Sequence, residues 1–495
     1  MYDLDSHPFR VEAEQASSST SALAVSGYLS FQNNNNQKTP QKFPRLLVLN
    51  QITARLRSAK KLPDFEGTIF IGVQHLLKTT GSLFESLINL GAKPENMYFA
   101  GKCYSTSPQV ADSLRKLGMH IIDGSKPERW GEYIPTHNQD IKKLWEMCRQ
   151  DLVNTGKKVN KIIIVDDGAG AIENAPSFFT NNNRFKIVAI EQTCGGIFSK
   201  IEQMPEYPVI NIAQSAAKRE LESTFIQEAV LDKLGPTIQD INKFMRIGIV
   251  GLGATGGALI KKLLNDGYTL LVYDENPKIM EKLPHTPNLK KASSLSYLLL
   301  HSDYIFGCSG RDITTQLDLL PINGRDRTLI NCSSDVNEFN TLLKAISAAV
   351  MTDTVTVAID PLLDIKVTTV TKYKICIKNG GFPVNFDSSG ASVSENKVTL
   401  TCGLVLGAIL QAALLLEKNT LTSEDTMLDP VIQRYVALTW QTTLPDSEIS
   451  QLPLQHFRDL TWIVQYSQGK HSQSMMDNVF FTSQAPRPSR IRASL

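Results

Sequence analysis

Gly251-Leu252-Gly253-Ala254-Thr255-Gly256 follows the apolar run of residues 247–250 and precedes the helical pattern of residues 258–264. The first glycine of such a stretch permits a tight turn, the second lets a pyrophosphate approach the backbone, and the third lets the helix pack closely on the strand. The amino terminus of the helix also favours the negative charge of the phosphates. These six residues therefore predict a dinucleotide-binding site at the start of a Rossmann domain.

An acidic residue follows where such a site needs one. Residues 269–273 form a second strand-like run, which ends at Asp274, about 20 residues past the last glycine of the stretch. A carboxylate in this position accepts hydrogen bonds from the ribose hydroxyls of NAD and repels the 2′-phosphate of NADP. We therefore predict NAD as the cofactor. NADP stays an alternative, because the nearby Lys278 is a cation that a 2′-phosphate would attract.

The composition limits the class of protein. The chain has 495 residues, enough for two or three domains, and its net charge of +2 from 51 basic and 49 acidic residues gives no reason to expect a nucleic-acid partner. Seven scattered cysteines without a Cys-x-x-Cys pair argue against a disulfide framework and a zinc site, so we predict no metal. A reducing compartment, the cytoplasm, fits this cysteine content best, and the polar, acidic start of the sequence does not resemble a signal peptide.

The apolar run of residues 404–416 is the one membrane-like segment of the sequence. It contains Gln411 and is shorter than the roughly 20 residues that a membrane-spanning helix needs. We therefore predict that this run is a buried core helix and that the chain has no membrane partner.

Changes in composition and in the alternation of strand and helix patterns divide the chain into five parts. Residues 1–44 are rich in Ser, Asn and Gln and are predicted to form a disordered arm. Strand and helix patterns alternate over residues 45–225, a substrate-type α/β domain, and over residues 226–385, the Rossmann domain. Residues 386–440 would return to the first domain, and residues 441–495 would form a helical extension with a flexible basic tail. We thus predict an α/β fold of two lobes with parallel sheets, in which the NAD-binding domain is inserted into the substrate-binding domain.

Polar residues follow three of the apolar runs in the first domain. Asp166-Asp167-Gly168 closes one run, Glu191-Gln192-Thr193 closes the next, and Ser215 closes a third, shortly before Lys218. The carboxyl ends of parallel strands meet at one edge of a sheet, where ligands bind. We therefore expect these residues to converge on one crevice that faces the dinucleotide domain.

The order of these motifs resembles that of the S-adenosylhomocysteine hydrolase family over residues 72–416. Asp166-Asp167-Gly168-Ala169-Gly170 is similar to the family's Asp-Asp-Gly-Gly-Asp, and Glu191-Gln192-Thr193-Cys194-Gly195-Gly196 is similar to its Glu-Glu-Thr-Thr-Thr-Gly. Lys218 and Glu222, one helical turn apart, resemble a lysine and a downstream aspartate of the family. The segment that ends at His75 resembles its substrate-binding histidine segment.

The resemblance implies a reaction and a set of site residues. In the family, bound NAD removes hydride from the ribose 3′ carbon, the 5′ substituent leaves, water adds and the hydride returns. An adenosine-type small molecule would be the substrate, and identical subunits would associate. The implied catalytic residues are Asp167, Lys218, Glu222 and His75. The implied NAD-binding residues, besides the glycine-rich stretch and Asp274, are Thr193, Ser309, Gly310, Asn331 and Asn385.

The chain departs from the family at positions that matter for the chemistry. Gln192 stands where the family has a glutamate, and an amide cannot take a proton. Ser334 and Ser392 fall near the positions of two family histidines, and the sequence has no histidine between His301 and His456. We therefore predict a diverged member in which the hydride-transfer step survives and the elimination and hydrolysis are altered.

Three functions fit these residues. The first is hydrolase-like NAD chemistry on a nucleoside, in which Lys218 passes the 3′ proton if burial lowers its pKa. The second is a non-catalytic NAD-binding pseudoenzyme that acts through a protein partner. The third is an ordinary dehydrogenase that releases NADH. For Lys218 itself, the alternative to catalysis is a salt bridge to Glu222.

Overall fold

A computed structural model describes most of the chain between residues 42 and 452. The described residues are 42–197, 205–233, 241–242, 244–315, 326–333, 336–351, 355–359, 363–368, 373–386, 392–417, 425–449 and 452. Residues 1–41 of the predicted arm and most of the predicted extension at residues 441–495 lie outside them. The last residues of the predicted arm are described, and Phe43 is buried in the core of the first lobe.

Seven strands form the first sheet. They are β1 (Thr68–Val73), β2 (Met97–Ala100), β3 (His120–Ile122), β4 (Lys161–Asp166), β5 (Lys186–Glu191), β6 (Val209–Asn211) and, from near the end of the chain, β15 (Asp425–Met427). Their order is β15-β6-β5-β4-β1-β2-β3, and every described pair is parallel. Every residue of the inner strand β1 is buried, as expected where helices cover both faces of a parallel sheet.

Eight strands form the second sheet. They are β7 (Ile247–Val250), β8 (Leu270–Tyr273), β9 (Leu289–Lys291), β10 (Tyr304–Gly307), β11 (Arg327–Asn331), β12 (Thr356–Ile359), β13 (Ile365–Thr368) and β14 (Lys374–Ile377). Their order is β12-β13-β14-β11-β10-β7-β8-β9, so the strand before the glycine-rich stretch lies inside the sheet. This arrangement confirms the prediction of two α/β lobes with a Rossmann domain inserted between parts of the first.

The second sheet departs from the predicted parallel arrangement at one edge. Strand β13 is antiparallel to both β12 and β14. Only a few residues separate these strands in the sequence, whereas a parallel crossover needs a dozen or more. The short connections therefore force hairpin-like pairing there, and the strands around β7 stay parallel.

The helices cover the faces of both sheets. Those of the first lobe are α1 (Leu47–Ser58), α2 (Lys78–Asn89), α3 (Pro108–Lys116), α4 (Tyr133–Thr155), α5 (Gly170–Glu173), α6 (Ser177–Thr180) and α7 (Ser223–Lys233). Those that follow are α8 (Ala254–Asn265), α9 (Pro277–Glu281), α10 (Leu295–His301), α11 (Asn340–Met351), α12 (Glu395–Leu416), α13 (Pro430–Gln441) and α14 (Asp446–Ile449). Short 3₁₀ turns cover Pro94–Asn96, Asn337–Phe339 and Lys378–Gly381, and a π-helical turn covers Lys218–Glu222.

Two helices connect the lobes. Helix α7 carries Phe225 in the core of the first lobe and Val230 in a core of the second. Helix α12 is long and apolar enough to cross a membrane, but 78% of its most apolar window is buried inside the protein. The side chain of Gln411 donates to Met427 O at 3.2 Å and accepts from Asp429 N at 2.8 Å, which ties α12 to β15. The prediction of a buried core helix is confirmed, and the helix starts nine residues earlier than its apolar run.

Candidate functional site

The glycine-rich stretch forms the turn between β7 and α8, and packing dictates two of its glycines. Gly251 has φ +86°, and a Cβ there would lie 2.7 Å from the backbone of Ser309. A Cβ on Gly256 would lie 1.9 Å from the carbonyl oxygen of Gly251. A Cβ on Gly253 would meet no atom within 4 Å. Gly253 therefore faces open space at the amino terminus of α8, where a pyrophosphate needs room.

Asp274 lies beside this turn, at the carboxyl end of β8. Its Oδ2 accepts a hydrogen bond from Leu252 N at 2.7 Å, and its Oδ1 accepts one from Asn276 N at 2.8 Å. Asp274 is partly exposed. Gly253 and Asp274 together provide the room and the acceptor that the phosphates and ribose of NAD require.

The other predicted cofactor residues of the second lobe also lie at the carboxyl edge of its sheet. Ser309 Oγ and Gly310 N both donate to the buried carboxylate of Glu338, at 3.0 and 2.6 Å. Asn331 Nδ2 donates to Gly381 O at 2.8 Å. Asn385 is buried just past this loop. Their contacts to NAD stay predictions. The hydrogen bonds from Ser309 and Gly310 to Glu338 gave no signal in the sequence, because Glu338 is 28 positions or more from both of them.

Asp167 is the centre of a buried polar cluster in the first lobe. Its Oδ1 accepts a hydrogen bond from Lys102 Nζ and lies 3.6 Å from His75 Nε2. Its Oδ2 accepts a hydrogen bond from Gln192 Nε2 at 2.6 Å. The other nitrogen of the His75 ring, Nδ1, lies 2.6 Å from Ser105 Oγ. The structure therefore brings together Asp167 and Gln192, which the strand ends predicted, and His75, which the family resemblance implied.

Sequence reasoning missed Lys102. Its side chain is only 7% exposed, and it lies two residues past the end of strand β2, which is next to β1 in the sheet. A lysine just past a buried strand is the signal that would have found it, because all such strand ends meet at one edge. Lys102 supplies the positive charge that the cluster needs to keep a carboxylate buried.

The surroundings keep Asp167 charged and His75 neutral. Burial by itself would raise the pKa of Asp167, but the positive charge of Lys102 and its hydrogen bond hold that pKa below its usual range. Burial lowers the pKa of His75 to about 3, and the charges of Lys102 and Lys218 act in the same direction. Asp167 is therefore a carboxylate and His75 a neutral imidazole at neutral pH.

Lys218 and Glu222 form a second pair on the same lobe. Lys218 Nζ lies 2.7 Å from Glu222 Oε2, and Thr401 Oγ1 donates to Glu222 Oε1. Burial would lower the pKa of Lys218, but the charge of Glu222 outweighs it and the pKa is raised. The catalytic hypothesis for Lys218 required its pKa to be lowered overall, and that condition is wrong. The alternative, a salt bridge to Glu222, is present.

Two further carboxylates brace the loops that carry the cluster. Asp166 accepts from the amides of Val73, Ala171 and Ile172. Glu191 accepts from Gly168 N, Ala169 N and Thr193 N, and also from the Thr193 hydroxyl. Burial raises the pKa of both carboxyl groups, and the repulsion between neighbouring acidic groups raises it further, whereas the hydrogen bonds that they accept lower it. The Thr193 hydroxyl thus binds Glu191 and stabilises the loop that carries it. Its contact with NAD stays a prediction.

Aromatic rings join the two lobes beside the cluster. The ring of His75 stacks on Phe386 with centroids 4.1 Å apart, and Tyr104 stacks on Phe382 at 4.7 Å. A small cavity, with about 30 Å³ of room for solvent, adjoins the cluster and is lined by Lys102 and Asp167 of the first lobe and by Val336 of the second. Ser334, the neighbour of Val336 named above, lies outside the described residues.

Comparisons with known proteins identify the second lobe. Residues 246–335 match the NAD-binding domain of 6-phosphogluconate dehydrogenase. This lobe is an NAD-binding Rossmann domain of the dehydrogenase type, and its cofactor is NAD. Two uncharacterised proteins from strains of Mycobacterium tuberculosis are each 27% identical to the chain over 393 residues, which is 79% of this chain and 73% of each relative.

Solved structures of dehydrogenases also resemble the chain. A 2-hydroxyacid dehydrogenase from Ketogulonicigenium vulgare Y25 is 15% identical, with a TM-score of 0.26, over 42% of this chain and 68% of its own. An NADPH-dependent glyoxylate/hydroxypyruvate reductase from Sinorhizobium meliloti is 13% identical, with a TM-score of 0.27, over 57% of this chain and 78% of its own.

The neutral state of His75 is directly testable. We expect the imidazole to take up no proton between pH 8 and about pH 4, because its pKa lies near 3 instead of its usual 6.5. The unfolded chain does take up that proton below pH 6.5, so His75 makes the folded state progressively less stable as the pH falls from 6.5 towards 3. NMR titration of the His75 ring carbons, assigned with a His75→Gln variant, measures this pKa. Titration of the ring near pH 6.5 would contradict the burial argument.

Proposed function

We propose that the protein is an NAD-dependent oxidoreductase that oxidises a hydroxyl-bearing carbon of a small molecule held between its lobes. One observation carries the proposal. His75, 3.6 Å from the Asp167 carboxylate in the first lobe, stacks on Phe386, the residue after Asn385 in the second. The buried polar cluster therefore adjoins the edge of the dinucleotide-binding domain, which is where a substrate hydroxyl and the cofactor would have to meet.

The charged residues define what the crevice can do to a hydroxyl group. NAD, when bound, accepts hydride from a carbon that bears a hydroxyl. Asp167 stays ionised and can only accept hydrogen bonds, so it orients a hydroxyl and does not carry a proton at neutral pH. Lys218 is held as an ammonium by Glu222 and becomes a proton acceptor only after it has lost its proton. We therefore propose that oxidation accelerates as the pH rises towards the raised pKa of Lys218.

Within this reaction class, we propose an adenosine-type nucleoside as substrate and its ribose 3′ hydroxyl as the reacting group. The support is the order of the motifs around Asp167, Gln192 and Lys218, which resembles the S-adenosylhomocysteine hydrolase family. The amide N–H of Gln192 donates a hydrogen bond to Asp167 and so stabilises the ionised carboxylate. Gln192 itself cannot take up a proton. We therefore propose that release of the 5′ substituent and hydrolysis differ from those of the family.

The experiment starts from the protein as purified. We expect denaturation to release NAD(H), and we expect adenosine added to the native protein to produce absorbance in the NADH band. 3′-Deoxyadenosine is the matched control, since it lacks the hydroxyl to be oxidised, and the Lys218→Met variant should reduce its cofactor at least about a hundredfold more slowly. Released NAD without any reduction by nucleosides would contradict the proposed oxidation and favour a non-catalytic role for the cofactor.

A further inference from the structure

An ion pair connects the two loops that flank the glycine-rich turn. Arg311 Nη1, after β10, pairs with Glu275 Oε1, after β8. Strands β10 and β8 are the two neighbours of β7 in the sheet. Because neighbouring strands lie about 4.8 Å apart, the loops are separated by the full width of β7. The pair therefore spans the carboxyl end of β7, where the turn that begins at Gly251 binds the dinucleotide.

The backbone beneath Arg311 is fixed, but its side chain lies in solvent. Arg311 N donates to Ser309 Oγ at 3.1 Å, and the preceding Gly310 is anchored on the buried Glu338. The Arg311 and Glu275 side chains are 61% and 66% exposed. An exposed ion pair contributes little to folding, about 0–1 kcal/mol, so it can open without cost to the domain.

The charges next to the ribose-binding carboxylate point to a role for this pair. Asp274 repels a 2′-phosphate, and Glu275 adds a second carboxylate directly after it. Arg311 is a cation with the fork geometry that suits a phosphate. As long as Glu275 holds its guanidinium, that charge is already neutralised.

We propose that the Arg311–Glu275 pair sets the cofactor preference, with Glu275 masking an arginine that would otherwise bind the 2′-phosphate of NADP. Loss of Glu275 exposes Arg311 to the ribose side of the site and weakens the discrimination against NADP. Loss of both residues removes the exposed cation and restores the discrimination by Asp274. The proposal concerns the cofactor alone and stands whatever the substrate is.

Equilibrium binding of NAD and NADP to five forms of the protein tests the proposal. The forms are the unmodified protein, Glu275→Gln, Arg311→Gln, the double variant, and Asp266→Asn. The last variant is the matched control, because Asp266 also forms an exposed ion pair, with Lys262 at 3.2 Å at the far end of α8. A thermal melt of each variant verifies that it is folded.

We expect Glu275→Gln to raise the affinity for NADP about tenfold, the size of one charge-assisted hydrogen bond to a phosphate. Its affinity for NAD should change by less than about threefold, as should both affinities in Asp266→Asn. The gain for NADP should vanish in the double variant. The proposal is overturned if Glu275→Gln binds NADP no better than Asp266→Asn does, or if the gain persists without Arg311.

Discussion

Gly256→Ala should abolish tight NAD binding, because the site has no room for a single added methyl group. A Cβ there would lie 1.9 Å from the carbonyl oxygen of Gly251, which is backbone and cannot rotate away. The helix must then shift from the strand, which costs about 1–3 kcal/mol in strain. The same shift displaces the phosphate-binding turn, so we expect the Kd for NAD to rise by about ten- to a hundredfold. Calorimetric titration with NAD measures this loss.

Two neighbouring glycines separate binding from folding. Gly257→Ala is the matched control, since its Cβ would have only Leu252 O nearby, at 3.9 Å, and alanine favours a helix by about 1 kcal/mol. Gly253→Val places its side chain in the open space of the turn, so it should lose NAD and keep the melting temperature of the unmodified protein. Normal NAD affinity in Gly256→Ala would show that the turn is not packed as described.

Asp167→Ala should lower the free energy of unfolding by about 3–5 kcal/mol, because it removes the carboxylate that pairs with the buried Lys102 ammonium. Gln192 loses an acceptor at the same time. Urea denaturation measures the change. The matched control is Asp112→Ala, which removes one of the two carboxylates that pair with the more exposed Arg115 and should cost less than about 1 kcal/mol.

A double variant separates the effect of an unbalanced buried charge on stability from the effect of lost packing. In Lys102→Met with Asp167→Leu both charges disappear and apolar side chains fill the space, so most of the stability should return while nucleoside oxidation stays lost. If Asp167→Ala costs no more than Asp112→Ala, Lys102 is not held by Asp167 in the way described.

The sequence predicted the parts of the protein that depend on local chemistry. The turn at residues 251–256 could be predicted directly, because the spacing of its glycines is set within one strand-turn-helix unit. The grouping of Asp167 and Gln192 followed from the rule that parallel strands end at one edge, whereas His75 became a candidate only through the family resemblance. The antiparallel edge of the second sheet did not follow from that rule, since it depends on the lengths of the connections around β13.

The charge states of the site could not be read from the sequence. Whether Lys218 would lose or keep its proton depends on the distance to Glu222, which the structure sets at 2.7 Å. The partner of Asp167 is Lys102, which lies 65 positions away in the chain and carries no motif of its own. Such pairs arise from tertiary geometry, in which burial and Coulomb interaction oppose each other and a small change in distance decides the outcome.

Deuterium transfer from the substrate to the cofactor tests the central claim most directly. Adenosine with deuterium on its 3′ carbon is mixed with the protein and its bound NAD. After the reaction is quenched, the mass of the extracted cofactor is measured by mass spectrometry. The account predicts reduced cofactor that carries one deuterium, and none when the deuterium is placed on the 1′ carbon. Cofactor that stays oxidised and unlabelled at saturating adenosine would contradict it.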